Sequence, residues 1–178
     1  MNERARIFVY WMVRILRPMG SLLLLVAAAL AAQPAPNFSG YWKLDPEKSN
    51  FGGGPAPESA GYVIRHIGAK IAFDYTQDSR TTRVEVTTDG QEHMTDSNDE
   101  AEVWTRAFWE GPVLVFEARQ KARPAHPAPG VKWTSRWKLS ADSQTFTIER
   151  QITAPQGQLT QILVFDRETK ENSTNRSQ

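Results

Sequence analysis

His66, His93 and His126 are the only histidines in a 178-residue chain that contains no cysteine. A metal site built on one element needs close spacing such as H-E-x-x-H, which puts two rings on one face. These three are too dispersed for that, so neither metal nor haem ligation is expected of them. His66 alternates with Tyr62 and Ile64 and reads as a core or rim histidine whose ring nitrogens are satisfied. Residues 92–102 (EHMTDSNDEAE) alternate Asp96, Asn98 and Glu100 in the manner of a calcium loop. Such a loop also needs glycine at its sixth position and glutamate at its twelfth. Ala101 and Ala107 stand there, so the run reads as a solvated loop. The chain has no G-x-S-x-G, no P-loop and no G-x-G-x-x-G. Nothing singles out a carboxylate pair for glycoside hydrolysis. The residues predict no enzyme, no metal and no cofactor.

Tryptophan is the other residue type with a chemical implication. Trp42, Trp104, Trp109, Trp133 and Trp137 all lie beyond residue 31. Trp133 and Trp137 share one face of an extended strand, about 13 Å apart. Rings gathered this way either fill a core or line a space that suits an apolar or planar ligand.

Strands must carry these side chains, because period-two alternation runs through most of the chain. Phe38, Gly40, Trp42 and Leu44 alternate with polar neighbours, as do Tyr62, Ile64 and His66, and Ile71, Phe73 and Tyr75. Val84 and Val86 follow. Residues 103–109 (VWTRAFW) and 113–118 (VLVFEA) flank Glu110, Gly111 and Pro112, a hairpin signal. One face of residues 131–139 carries Val131, Trp133, Ser135, Trp137 and Leu139. Phe146, Ile148, Arg150 and Ile152 form the next, and Leu159, Gln161, Leu163 and Phe165 the last. Turn residues separate these runs at Gly68, Asp89-Gly90, Ala141-Asp142-Ser143 and Gln156-Gly157. Eight to ten sequential antiparallel strands would leave long edges in a flat sheet, and closure removes them. The predicted fold is all-β, an antiparallel up-and-down β-barrel, with a β-sandwich as the alternative.

The N-terminus reads differently. Arg4, Arg6, Arg14 and Arg17 precede the apolar run 19–32 (MGSLLLLVAAALAA), which has the length of a signal-peptide core and falls short of a bilayer span. Ala29-Leu30-Ala31 has the small-x-small form of a cleavage site. Residues 1–31 are expected to be a helical signal peptide, with Met1 or Met12 as the start. Residues 32–36 would then be a linker, 37–166 the barrel domain and 167–178 a polar tail. An exported protein, periplasmic or extracellular, is the expectation. Residues 1–31 hold four of the 21 basic and one of the 20 acidic residues, which leaves the remainder a formal charge of −2. A domain so balanced lacks the charge footprint of a nucleic-acid binder.

Gly40-Tyr41-Trp42 resembles the G-x-W that opens the first strand of lipocalins. The longer stretches FSGYWKLDPEKSNFG (38–52) and WKLSADSQTFTIER (137–150) resemble a largely uncharacterised group of exported bacterial lipocalin-like proteins. The resemblance covers most of residues 37–166. It implies that Trp42 packs on the barrel floor under an arginine, for which Arg150 and Arg167 are the candidates. The lipocalin T-D-Y turn, a disulfide and a helix before the tail have no counterpart, so no particular lipocalin ligand carries over. The segment after Leu44, with Asp45-Pro46, Phe51 and Gly52-Gly53-Gly54, reads as a cap over one barrel end, with a mobile lid as the alternative. The candidate ligand-binding interior is Tyr62, Ile64, His66, Phe73, Trp133, Trp137, Phe146 and Ile148. The predicted function is non-catalytic binding of a small apolar ligand. The alternative is a filled barrel acting as a structural or interaction protein of the cell envelope.

Overall fold

The computed structural model describes residues 35–123 and 130–169. The expected signal segment, His126 and residues 170–178 of the tail lie outside the described residues. Ten strands follow one another: β1 Gly40–Leu44, β2 Ala60–Ile67, β3 Lys70–Gln77, β4 Arg80–Thr87, β5 Glu92–Ser97, β6 Ala101–Glu110, β7 Val113–Ala122, β8 Lys132–Leu139, β9 Thr145–Ala154 and β10 Gly157–Glu168. All pairings are antiparallel, and β1 joins β2 to β10, which gives the order β4-β3-β2-β1-β10-β9-β8-β7-β6-β5. The predicted all-β, up-and-down barrel is the observed architecture, and no helix occurs among the described residues.

Three expectations are corrected. Residues 92–97, read as solvated loop, form strand β5. Its side chains are almost all exposed, so it lacks the apolar alternation that marks a strand; its pairing with β6 makes it one. Closure is also incomplete. β4 pairs only with β3 and β5 only with β6, which leaves a seam without a hydrogen-bond ladder. The register of β5 shifts between Met94 and Asp96, and such a bulge twists an edge out of line for pairing. The tail boundary moves as well. β10 runs to Glu168 because Arg167 and Glu168 still pair with Trp42 and Tyr41.

One end of the barrel is solid. Phe38, Trp42, Ile64, Ile71, Leu114, Trp137, Phe146, Ile148 and Phe165 are at most 2% exposed. Phe38 lies across this end, stacked on Trp109 (6.1 Å between centroids) and edge-on to Phe146 (5.5 Å). Trp42 donates its Nε1–H to the Phe38 carbonyl (2.9 Å). The Arg167 guanidinium lies 4.2 Å from the Trp42 ring centroid, donates from Nε to the Ser143 carbonyl (2.8 Å) and from Nη1 to the Ser39 carbonyl (3.0 Å). Such a cation–π contact is worth about 0.5–2 kcal/mol. The residue opposite Trp42 on β10 is therefore the floor arginine, and Arg150, the other candidate, lies elsewhere. Gly40 is required here. Its φ is +148°, and a Cβ would stand 2.5 Å from Arg167 Nη1.

Candidate functional site

The other end of the barrel is open inside. A cavity of about 410 Å³ lies between the aromatic core and the end of the barrel at which β1, β3, β5, β7 and β9 terminate. The two-residue period aims alternate side chains inward, and antiparallel register stacks them in rows. Tyr62 pairs with Tyr75, Phe116 with Ser135, and Trp133 with both Ala118 and Ile152. Tyr62, Phe73, Tyr75, Phe116, Trp133 and Trp137 give the wall its aromatic character. Thr82 and Val84 from β4 and Thr95 and Asp96 from β5 also reach the cavity, so it borders the unpaired seam. The bulge in β5 accounts for two successive residues lining the same space.

Polar groups are interspersed in this wall: Thr82, Thr95, Asp96, Thr105, Ser135 and Arg150, with the two tyrosine hydroxyls. Thr105 is buried and shares a hydroxyl hydrogen bond with Thr95 (2.8 Å). Arg150 projects inward from β9, opposite Ser135 and Gln161. Its Nη2 donates to the Tyr62 hydroxyl at 3.4 Å. Burial pushes the Tyr62 hydroxyl up in pKa, against the pull of Arg150. Burial, with the neighbouring Tyr62, pushes Tyr75 up to about 12. Both phenols are neutral at physiological pH and keep their protons to donate. Among the described residues no group of three or more His, Cys, Asp or Glu side chains is placed to hold a metal ion.

Of the eight residues expected to line a ligand site, Tyr62, Phe73, Trp133 and Trp137 line this cavity. Ile64, His66, Phe146 and Ile148 also face inward, but they belong to the packed half beneath the cavity and are corrected to core. His66 takes a long hydrogen bond from the Phe38 N–H at Nδ1 (3.4 Å), and its Nε2 lies 3.1 Å from the Gly68 carbonyl. Its ring stacks on Trp109 at 5.9 Å. Arg150, expected as a floor candidate, is a cavity residue. Tyr75 and Ile152 were legible as members of inward faces. Ser135 was legible in the same way, from the face it shares with Trp133 and Trp137, whereas Thr82 and Thr105 carry no apolar signal that would mark them as interior. The barrel is not filled throughout, which removes the premise of the filled-barrel alternative.

The glycine-rich segment packs against β10. Asn50 and Ile162 exchange backbone hydrogen bonds (2.7 and 2.8 Å), and Gln161 Nε2 donates to the Phe51 carbonyl (3.3 Å). Phe51 packs on the core. Gly52 has φ +67°, and a Cβ there would lie 2.5 Å from the Thr160 carbonyl oxygen. The segment has the contacts of a cap. Beneath it lies a second cavity of about 80 Å³, lined by Phe51, Tyr75, Gln77, Gln161 and Arg150 among others.

No protein-family model matches the sequence. The search of curated proteins likewise found no match. Solved structures do match in shape. The REP1-NXSQ fatty acid transporter superposes with a TM-score of 0.51 at 12% identity, over 74% of this chain and 96% of that one. Fatty-acid-binding protein 1 of Echinococcus granulosus gives 0.51 at 13% identity, over 74% and 98%. Zebrafish ileal bile acid-binding protein, solved with cholic acid, gives 0.53 at 12% identity, over 74% and 98%. Identities this low speak for the architecture alone: this chain has the β-barrel fold of these lipid-binding proteins.

Proposed function

We propose that this chain is an exported, non-catalytic binding protein that carries a small apolar ligand inside its barrel. The observation that supports this reading is the cavity of about 410 Å³ with its aromatic wall, within the roughly 300–1,000 Å³ range of small-molecule sites. A barrel kept only for stability would gain by filling that space, since interiors otherwise pack at crystal-like density. The structural neighbours named for fatty-acid and bile-acid binding are consistent with this use of the fold. Export, and kinship with the exported bacterial lipocalin-like group, rest on the N-terminal segment and the FSGYWKLDPEKSNFG opening.

Tryptophan fluorescence tests the binding reading. Trp133 and Trp137 line the cavity, so an occupant touches at least one indole. Titration of the purified chain without residues 1–31 against fatty acids, fatty alcohols and retinoids should give saturable quenching or enhancement, reduced in Trp137→Phe. An organic extract of the purified protein should contain a small molecule at near-stoichiometric amount by mass spectrometry. No saturable response to any of these compounds, together with an empty extract, would sink the carrier reading.

A further inference from the structure

Among the described residues, two buried side-chain nitrogens have no hydrogen-bond partner: Arg150 Nε and Trp137 Nε1. Both belong to residues that line the same cavity. Arg150 takes part in none of the ion pairs among the described residues. Asp96, which also reaches the cavity, is exposed on β5 and does not pair with it. Arg150 as a whole is half-buried, but its Nε is fully buried, and a buried charged donor left without a partner is costly.

The unfilled edge of this guanidinium has a definite chemistry. Nε and Nη2 form the side that grips a carboxylate with two parallel hydrogen bonds. The same chain uses that edge twice on its outer surface. Arg83 holds Asp74 through Nε (2.6 Å) and Nη2 (3.0 Å), and Arg119 holds Glu92 through the same two atoms (2.6 Å each). On Arg150 that edge has only the 3.4 Å contact from Nη2 to Tyr62. Tyr62, if it accepts from Arg150, still has its own proton to give. Arg150 also borders the small cavity beneath the cap, where the Gln77 and Gln161 amides and Tyr75 gather. A polar niche and an apolar chamber thus meet at one cation.

We propose that the occupant is a compact amphipath with a single acidic group, seated by that group on Arg150 and Tyr62 with its apolar body among Phe73, Phe116, Trp133 and Trp137. This rests on the binding reading above and names the class of ligand. Size follows from volume: at about 30 Å³ per water-sized group, the chamber holds roughly 14 non-hydrogen atoms. A medium-length or ring-bearing acid fits; longer chains must project through the mouth.

The test compares laurate, 1-dodecanol and dodecyltrimethylammonium at submicellar concentration, by tryptophan fluorescence and calorimetry. The proteins are wild type, Arg150→Met, Arg150→Lys and, as a control on the outer face, Arg136→Met. A charge-assisted hydrogen bond contributes about 1.5–3 kcal/mol, so wild type should favour laurate over dodecanol by at least tenfold. Arg150→Met should lose that preference while still binding dodecanol, Arg150→Lys should keep part of it, and Arg136→Met all of it. Laurate should raise the denaturation midpoint of wild type by more than that of Arg150→Met, whereas dodecanol should raise both alike. Equal binding of laurate and dodecanol by wild type, or undiminished laurate binding by Arg150→Met, would overturn the acid assignment while leaving the carrier reading intact. Binding of none of the three probes would overturn both.

Discussion

Removing Trp42 and Arg167 singly and together asks whether the closed end of the barrel is held as the geometry indicates. Trp42 is 2% exposed, and Trp42→Leu keeps apolar bulk but loses the indole face and its hydrogen bond to the Phe38 carbonyl. Arg167→Met keeps the aliphatic stem and loses two hydrogen bonds to the Ser143 and Ser39 carbonyls, about 1 kcal/mol each. It also loses the contact of 4.2 Å with the Trp42 ring, worth about 1 kcal/mol for a half-buried guanidinium. Arg167→Met should therefore cost about 3 kcal/mol. Trp42→Ala, which empties the site, should cost about 3–5 kcal/mol. Either is a large share of an ordinary domain stability of about 5–15 kcal/mol. The decisive quantity is the coupling: Trp42→Leu and Arg167→Met together should cost about 1 kcal/mol less than the sum of the two alone. Urea unfolding followed by far-UV circular dichroism measures it, because removing a tryptophan disturbs fluorescence as a probe. A coupling below about 0.3 kcal/mol, with an unchanged denaturant slope, would mean that Arg167 and Trp42 act independently and that the floor is held by the carbonyl contacts alone.

Burial holds the His66 ring below its ordinary pKa of 6.5, with the Gly68 carbonyl opposing the shift. The unfolded chain takes up that proton before the folded one does, so His66 supports full stability above pH 6.5, and stability falls as pH drops through the window beneath it. The difference in urea midpoint between wild type and His66→Gln should shrink between pH 7.5 and 5.5; a difference that does not change with pH would show that His66 is not held neutral by the fold. Export predicts a processed chain. N-terminal sequencing of protein recovered outside the cytoplasm should begin near Ala32, and an intact leader retained in a membrane fraction would support an uncleaved anchor instead.

Alternation along the chain determined which side chains face inward in seven of the ten strands, because an extended backbone sends successive side chains to opposite faces whatever surrounds it. Turn residues such as Gly68, Gly111 and Gly157 marked where strands reverse, since their positive φ angles are local requirements. Face, however, is not height. Arg150 and Arg167 both read as inward, and only the pairing of β1 with β10 sets Arg167 opposite Trp42, while the β9–β10 register sets Arg150 opposite Gln161, beside the cavity. The same distinction separates Phe146 and Ile148, packed into the floor, from Trp133 and Ile152, which border open space on the same faces of β8 and β9. β5 escaped notice because its side chains are mostly exposed, so only its partner strand defines it. Height within the barrel, the seam between β4 and β5, and the division into a solid half and a hollow half all depend on register between segments far apart in the chain. That register is settled by the joint packing of ten strands, which no single segment encodes.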